Sequence, residues 1–158
     1  MSNFALLADS VAAFSDVKIV ILGDKRDGLI AGKMREAMHS PVTDLTGQTS
    51  LEDLVAIVNR LELIITNEGG ILNIAVAMNK KTVSFFGPVD PKMYGPYPPN
   101  GSLHSVLRKN LPCSPCYSDF HLSQCLRGQE CLKDINPDEA FRAVSALLKK
   151  GGRNESNS

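Results

Sequence analysis

The sequence lacks a net charge: seventeen basic residues balance seventeen acidic ones over 158 positions. A nucleic-acid binder usually carries a basic excess or stripe, so that class of partner is excluded. There is no apolar run of the roughly 18 residues that a membrane span requires, and Met1 to Ala13 has no basic lead of the kind that opens a secretion signal. The chain therefore reads as cytoplasmic, with no integral membrane segment; a membrane-peripheral full-length protein is compatible with this. Internal repeats are missing. So are a P-loop and the full glycine fingerprint of dinucleotide-binding folds, which removes support from ATPase and dehydrogenase readings. What is present, 43% hydrophobic and 22% charged residues, is the composition of a soluble domain large enough to build its own core.

Along the chain, apolar segments alternate between two periods. Phe4, Leu6, Leu7, Val11 and Phe14 recur at helical spacing, which predicts a helix over 2–14. Val17 to Leu22 is a β-branched run suited to a strand covered on both faces. A helix is expected over 29–38, ended by His39-Ser40-Pro41, and a short strand over 42–45. Ser50 followed by Asp53 opens a helix over 51–61 with a capping-box pattern, its buried stripe being Leu51, Leu54, Val55 and Val58. Glu62 to Thr66 reads as a strand. Ile71 to Met78 reads as a helix apolar almost all round, hence deeply buried, and Thr82 to Phe86 as the next strand. Residues 87–101 hold five prolines and read as a long ordered loop. Leu103 to Leu107 is a further strand, 111–131 a cysteine-bearing loop, and Pro137 opens a final helix to about Lys149 with Phe141, Val144 and Leu147 or Leu148 inward.

This alternation predicts an α/β fold, a Rossmann-like parallel sheet with helices on both faces. One domain covers 1–150, and 151–158 is a disordered tail. Right-handed crossovers gather the loops after the strands at one edge, where ligands bind. Three loops matter there: Gly47 to Ser50, Asn67 to Gly70, and Gly87 to Gly101.

Asn67-Glu68-Gly69-Gly70 joins a strand to a helix. Free amides at a helix start bind phosphate oxygens, and two glycines let an anion approach the main chain. The plainer alternative is that Asn67 or Glu68 caps the helix and the glycines make a tight turn. Gly87-Pro88 opens a proline-stiffened loop that serves either as a pocket wall or as a rigid connection. Cys113, Cys116, Cys125 and Cys131 lie within nineteen residues. Four thiols can enclose zinc or an iron–sulfur cluster, but the second pair lacks the tight spacing of a zinc ribbon. The expectation is no metal, with the thiols either free or buried, in which case they pack the loop against the sheet as small apolar groups. His39, His104 and His121 have no ligand spacing and take packing or surface roles.

Together the segments resemble the C-terminal half of glycosyltransferase family 9, the lipopolysaccharide heptosyltransferase family. The markers are Asp44-Leu45-Thr46-Gly47-Gln48-Thr49-Ser50-Leu51, Thr66-Asn67-Glu68-Gly69-Gly70, Phe86-Gly87-Pro88-Val89-Asp90-Pro91, Gly95-Pro96-Tyr97 and Pro112-Cys113-Ser114-Pro115-Cys116. They stand in the family's order, and the likeness runs from Phe4 to about Val144. It implies the nucleotide-sugar-binding half of a GT-B enzyme acting in lipopolysaccharide or cell-surface glycan synthesis without a cofactor. Its donor would be a nucleotide-diphosphate sugar such as ADP-heptose.

By the resemblance, Glu68, Gly69, Gly70 and Asn73 lie at the donor sugar and diphosphate. Thr49, Ser50 and Leu51 lie at the base and ribose, and Gly87 and Pro88 on the cleft floor. Two positions depart from the family pattern of Asp-Ser/Thr-Gly with a histidine three residues on: Glu68 is one methylene longer than aspartate, and Asn73 cannot carry a histidine's charge. The resemblance also implies an N-terminal acceptor-binding domain that this chain does not include. The chain by itself would be inactive, with no catalytic base of its own, and an exposed cleft face would favour self-association. A noncatalytic nucleotide-binding or cysteine-metal interaction module is the alternative reading.

Overall fold

The computed structural model describes residues 2–98, 102–118 and 120–151. Helix α1 (Ser2–Phe14) leads to strand β1 (Ile19–Ile21), a single 3-10 turn (Lys25–Asp27) and α2 (Gly28–Ala37). Then come β2 (Val42–Asp44), α3 (Leu51–Arg60), β3 (Leu63–Asn67), α4 (Gly70–Ala77) and β4 (Lys81–Phe86). The remainder is α5 (Pro91–Tyr94), β5 (His104–Arg108), β6 (Tyr117–Ser118), β7 (His121–Leu122), α6 (Glu130–Lys133) and α7 (Pro137–Gly151). The expected alternation is present, and its strands pair in parallel: β1 with β2, and β3 with β4 with β5.

Side-chain alternation along the strands explains the layers. Leu63 and Ile65 of β3, with Val83 and Phe85 of β4, face a core built with Leu7 and Val11 of α1 and Val144 and Leu147 of α7. Ile64, between them in sequence, points the other way, to Val58 of α3 and Ala75 of α4. Helices therefore cover both faces, and β4 is buried from Thr82 to Phe86. Its two polar side chains are satisfied. Thr82 Oγ1 and His104 Nδ1 are 2.9 Å apart, and the Ser84 hydroxyl donates to the Ser105 carbonyl at 3.4 Å. His104 thus has the packing role expected of it, and burial pushes its pKa down. His39 is tied to α1 instead: the Asp9 carboxylate accepts the backbone N–H of His39 at 3.0 Å and of Ser40 at 2.8 Å, which holds the Asp9 pKa well below the usual range.

Five expectations change. First, the sheet is not continuous. Among the described residues β1 and β3 exchange no ladder bonds, and a cavity of about 230 Å³ lined by Leu7, Val11, Ile19, Leu63 and Ile65, among others, lies between them. Second, the α3 stripe is buried only in part. Leu51 is 65% exposed and Val55 38%, against 0% for Val58, because only the later turns of α3 meet Ile64 and Ala75. The same holds for α1, where Leu6 and Phe14 are exposed while Ala5 and Ala8 are buried. Third, α4 is not deeply buried all round. Leu72 and Ala75 are inside, but Asn73 and Ala77 are exposed.

Fourth, 87–98 is not loop throughout. Asp90 caps α5 by accepting the Lys92 N–H at 2.9 Å, and Pro91 fills its first turn, a position where a missing N–H costs nothing; 99–101 lie outside the described residues. Fifth, loop 111–131 contains the antiparallel pair β6–β7 and runs into the short helix α6. The tail expected at 151–158 also lies outside the described residues, except that Gly151 belongs to α7.

Candidate functional site

The site is built by the loops after β2, β3 and β4. In register, Asn67 at the end of β3 stands beside Phe85 of β4, and the Glu68 N–H donates to the Phe85 carbonyl at 3.2 Å. The next residue turns the chain. Gly69 has φ 145° and ψ −164°, a conformation essentially restricted to glycine. Helix α4 starts at Gly70 with no side-chain cap, and its first turn closes with the Asn73 N–H donating to Gly69 O at 3.2 Å. The amides of Gly70, Ile71 and Leu72 are those a helix start leaves for an outside acceptor, at the positive end of its dipole. Among the described residues, a Cβ built on Gly69 or Gly70 meets nothing within 4 Å. The space above these glycines is open. Asn73, three residues along and on the same face as Gly70, is exposed, and Glu68 is half-buried.

The loop after β2 ends differently. Gly47, at φ 71°, passes so close to Lys25 that a Cβ would stand 3.0 Å from the Lys25 Cγ, and its N–H donates to Gly23 O at 2.9 Å. Thr49 is half-buried, Ser50 is exposed and Leu51 largely so. Ser50 Oγ accepts the Asp53 N–H at 3.1 Å, while Asp53 Oδ2 accepts the Ser50 N–H at 3.1 Å. The capping box is complete, and these hydrogen bonds from Ser50 lower the Asp53 pKa. In the same loop, hydrogen bonding to Thr46 lowers the pKa of Asp44.

After β4, Gly87 is buried, and an added Cβ would lie 2.6 Å from Leu132 Cγ and 3.1 Å from Cys131 Sγ. The Pro88 carbonyl accepts the N–H groups of Cys116 and Tyr117, both at 2.9 Å, and the Ser114 hydroxyl donates to Gly87 O at 2.5 Å. The cysteine loop is thus docked on Gly87-Pro88.

Glu68, Gly69, Gly70, Asn73, Gly87 and Pro88 therefore stand at the ends of two paired strands. Thr49, Ser50 and Leu51 do not join them directly. They come after β2, on the far side of β1 from β3. One charged residue escaped the sequence reading. Arg108 ends β5, pairs with Asp90 at 3.8 Å and donates to Ser114 O at 3.3 Å, while its buried Nε finds no partner among the described residues. The only sequence signal for it was a lone arginine closing an apolar strand.

The cysteines are not simply packed. Cys116 and Cys131 are half-buried, while Cys113 and Cys125 are exposed, so apolar packing of the loop falls to the first two. No helix among the described residues is long and apolar enough to cross a membrane.

These layers define a class, a Rossmann-like α/β domain with parallel strands and helices on both faces. Two solved structures share the fold. One, described as E. coli ADP-heptose lps heptosyltransferase II, superposes with a TM-score of 0.76 at 22% identity, covering 95% of this chain and 41% of that one. The other, a family 9 glycosyl transferase from Veillonella parvula, also gives 0.76, at 24% identity over 94% of this chain and 41% of that one.

The sequence narrows the class to a family. The profile of glycosyltransferase family 9 (heptosyltransferase) matches residues 1–126, and the chain belongs to that family. Lipooligosaccharide heptosyltransferase 2 of Haemophilus ducreyi is 29% identical over 142 residues, 82% of this chain and 38% of that protein. Lipopolysaccharide heptosyltransferase 2 of Escherichia coli is 24% identical over 136 residues, 83% of this chain and 37% of that protein. The chain spans about two fifths of the length of these relatives.

Proposed function

We propose that the chain is the C-terminal, donor-binding part of a heptosyltransferase-like glycosyltransferase. It takes a nucleotide-diphosphate sugar of the ADP-heptose kind, and the whole protein transfers the sugar to a lipid-linked saccharide at the cytoplasmic membrane surface. The observation that carries this reading is the start of α4. Its amides are uncapped by any side chain, and the space over Gly69 and Gly70 is open. A diphosphate seated there accepts several N–H bonds at once and meets the helix dipole. As the sugar–phosphate bond breaks, charge builds on the leaving diphosphate, and the same amides stabilise it without a metal. Glu68 and Asn73 flank this position and contact the sugar side. Thr49, Ser50 and Leu51, set off along the edge, suit the base and ribose at the far end of an extended nucleotide. Gly87 and Pro88 form the floor.

Acceptor recognition and the base that deprotonates the acceptor hydroxyl belong to a second, N-terminal domain in this reading. Calorimetry with ADP tests donor binding: the chain binds weakly, and Gly70→Val, which fills the open space, abolishes the heat. If neither ADP nor any of a broad nucleotide panel gives heat or a thermal shift, the donor site is lost from the account. A transfer assay with ADP-heptose and a lipid acceptor tests the division of labour. The 158-residue chain alone yields no product above background, and turnover by it would place the base within this chain.

A further inference from the structure

The floor at Gly87-Pro88 has a charged support to which the proposed function gives no task. In register, Arg108 of β5 stands beside Phe86 of β4, the residue before Gly87. Val106, two positions earlier on β5, packs with Phe86 and with Leu72 of α4. Alternation along the strand therefore puts the Arg108 side chain on the face of the sheet that carries α4. A long cationic side chain at a strand end ordinarily carries its charge out to water. This one is only 21% exposed, and its buried Nε has no partner among the described residues. A buried donor left unbonded is costly, so the contacts at the far end of the guanidinium hold the side chain inside.

Those contacts join two loops. Nη1 is 3.8 Å from Asp90 Oδ1, the same oxygen that accepts the Lys92 N–H at 2.9 Å and caps α5. Nη2 donates to the Ser114 carbonyl at 3.3 Å. Ser114 in turn donates its hydroxyl to Gly87 O at 2.5 Å, and two residues further on the Cys116 N–H donates to Pro88 O at 2.9 Å. Both ends of the span from Gly87 to Asp90 are thus tied to one guanidinium, the first through Ser114 and the second directly. A planar fork can hold two acceptors at a fixed angle, which the single ammonium of a lysine does not.

We propose, on the footing of the donor site described above, that Arg108 is a positioning residue for ligand binding. Its guanidinium clamps Ser114 and Asp90 and through them sets the Gly87-Pro88 floor against a ligand held at α4. The amides at the start of α4 seat the diphosphate without help from this clamp. The floor meets what lies beyond the diphosphate, so the clamp matters for a nucleotide sugar and not for a bare pyrophosphate.

Amide NMR titrations of the full chain with inorganic pyrophosphate and with ADP-heptose test this. Arg108→Lys keeps the charge and loses the fork. Its affinity for ADP-heptose falls about tenfold, the scale of one charge-assisted hydrogen bond, while its affinity for pyrophosphate stays that of the parent. Ser114→Ala cuts the link to Gly87 with Arg108 in place, and it weakens ADP-heptose selectively as well. The double variant binds no more weakly than Arg108→Lys alone, because the two residues act in one line of contacts. Since Arg108→Lys can fail to fold, Ser114→Ala decides independently. Where the parent binds both ligands, a folded variant of either kind that holds ADP-heptose as tightly as the parent overturns the proposal and leaves the donor site standing. So does an equal loss of both ligands, the mark of a general defect in the fold. A parent that binds neither ligand removes the donor site, and the task assigned to Arg108 goes with it.

Discussion

Helices α3 and α4 begin at the same kind of place, after a parallel strand and a short loop, and they end up chemically opposite. The start of α3 is closed by its own side chains, with Ser50 and Asp53 exchanging hydrogen bonds across the first turn. The start of α4 carries no side-chain cap and has two glycines with open space above them. A helix must satisfy its first amides somehow. At α3 an internal carboxylate does so, and an added anion would face the Asp53 charge. At α4 no side chain does so, and under the proposed function the amides are left for the donor's diphosphate. A helix N-terminus by itself therefore says little about anion binding; whether the chain has already supplied the anion says much more. The loop after β4 adds a third case, in which glycine permits close packing, with Leu132 and Cys131 pressed onto Gly87.

The comparison can be broken by substitutions that treat the three loops alike. Gly87→Ala has the largest effect on stability: its Cβ collides with the Leu132 side chain, and chemical denaturation shows a loss of about 1–3 kcal/mol, as expected of overpacking. A neutral result would mean that Gly87 is not a packing glycine. Ser50→Ala removes the cap of α3 and costs about 1 kcal/mol by the same measurement. Gly70→Ala, by contrast, stabilises by about 0.5 kcal/mol, since the position is already helical and an alanine orders the unfolded chain, while it weakens ADP binding in calorimetry. Stability and binding moving together at Gly70 would remove the contrast.

The smallest effect is on pH dependence. The Asp53 pKa is lower in the folded chain than in the unfolded one, so its contribution is complete above the ordinary carboxylate range and fades as pH falls through the depressed value. Thermal melts in acid then show a shallower fall in Tm for Asp53→Ala than for the parent chain. Equal slopes would mean that the capping box carries no charge-dependent stability.

The sequence predicted some of this well and some not at all. Helix α1 spans Ser2–Phe14 as its periodicity predicts, and the Ser50/Asp53 capping box is in place, because both are signals written within a few residues of each other. The glycine pair at α4 was legible as a turn, but its openness was not, since the space above Gly69 depends on elements far away in the chain. Burial failed for the same reason. Leu51 and Val55 stand at the helical spacing of a core stripe, yet both stay exposed in the fold. Helix α5 was missed through its prolines, although Asp90-Pro91 is itself a helix-start pattern. The gap between β1 and β3 leaves no trace in the local sequence of either strand, because strand pairing across a sheet is a non-local event. Arg108 was invisible for a related reason: only the fold brings Asp90 and Ser114 to it.

The contrast between the two helix starts is tested most directly by amide NMR of the full chain, titrated first with inorganic pyrophosphate and then with ADP. Pyrophosphate is predicted to shift the N–H resonances of Gly70, Ile71 and Leu72 and to leave those of Ser50, Leu51 and Asp53 in place. ADP then repeats the first set and adds shifts at Thr49 and Leu51, where the proposed function puts the base and ribose. Pyrophosphate shifts at α3 with none at α4 would contradict the account.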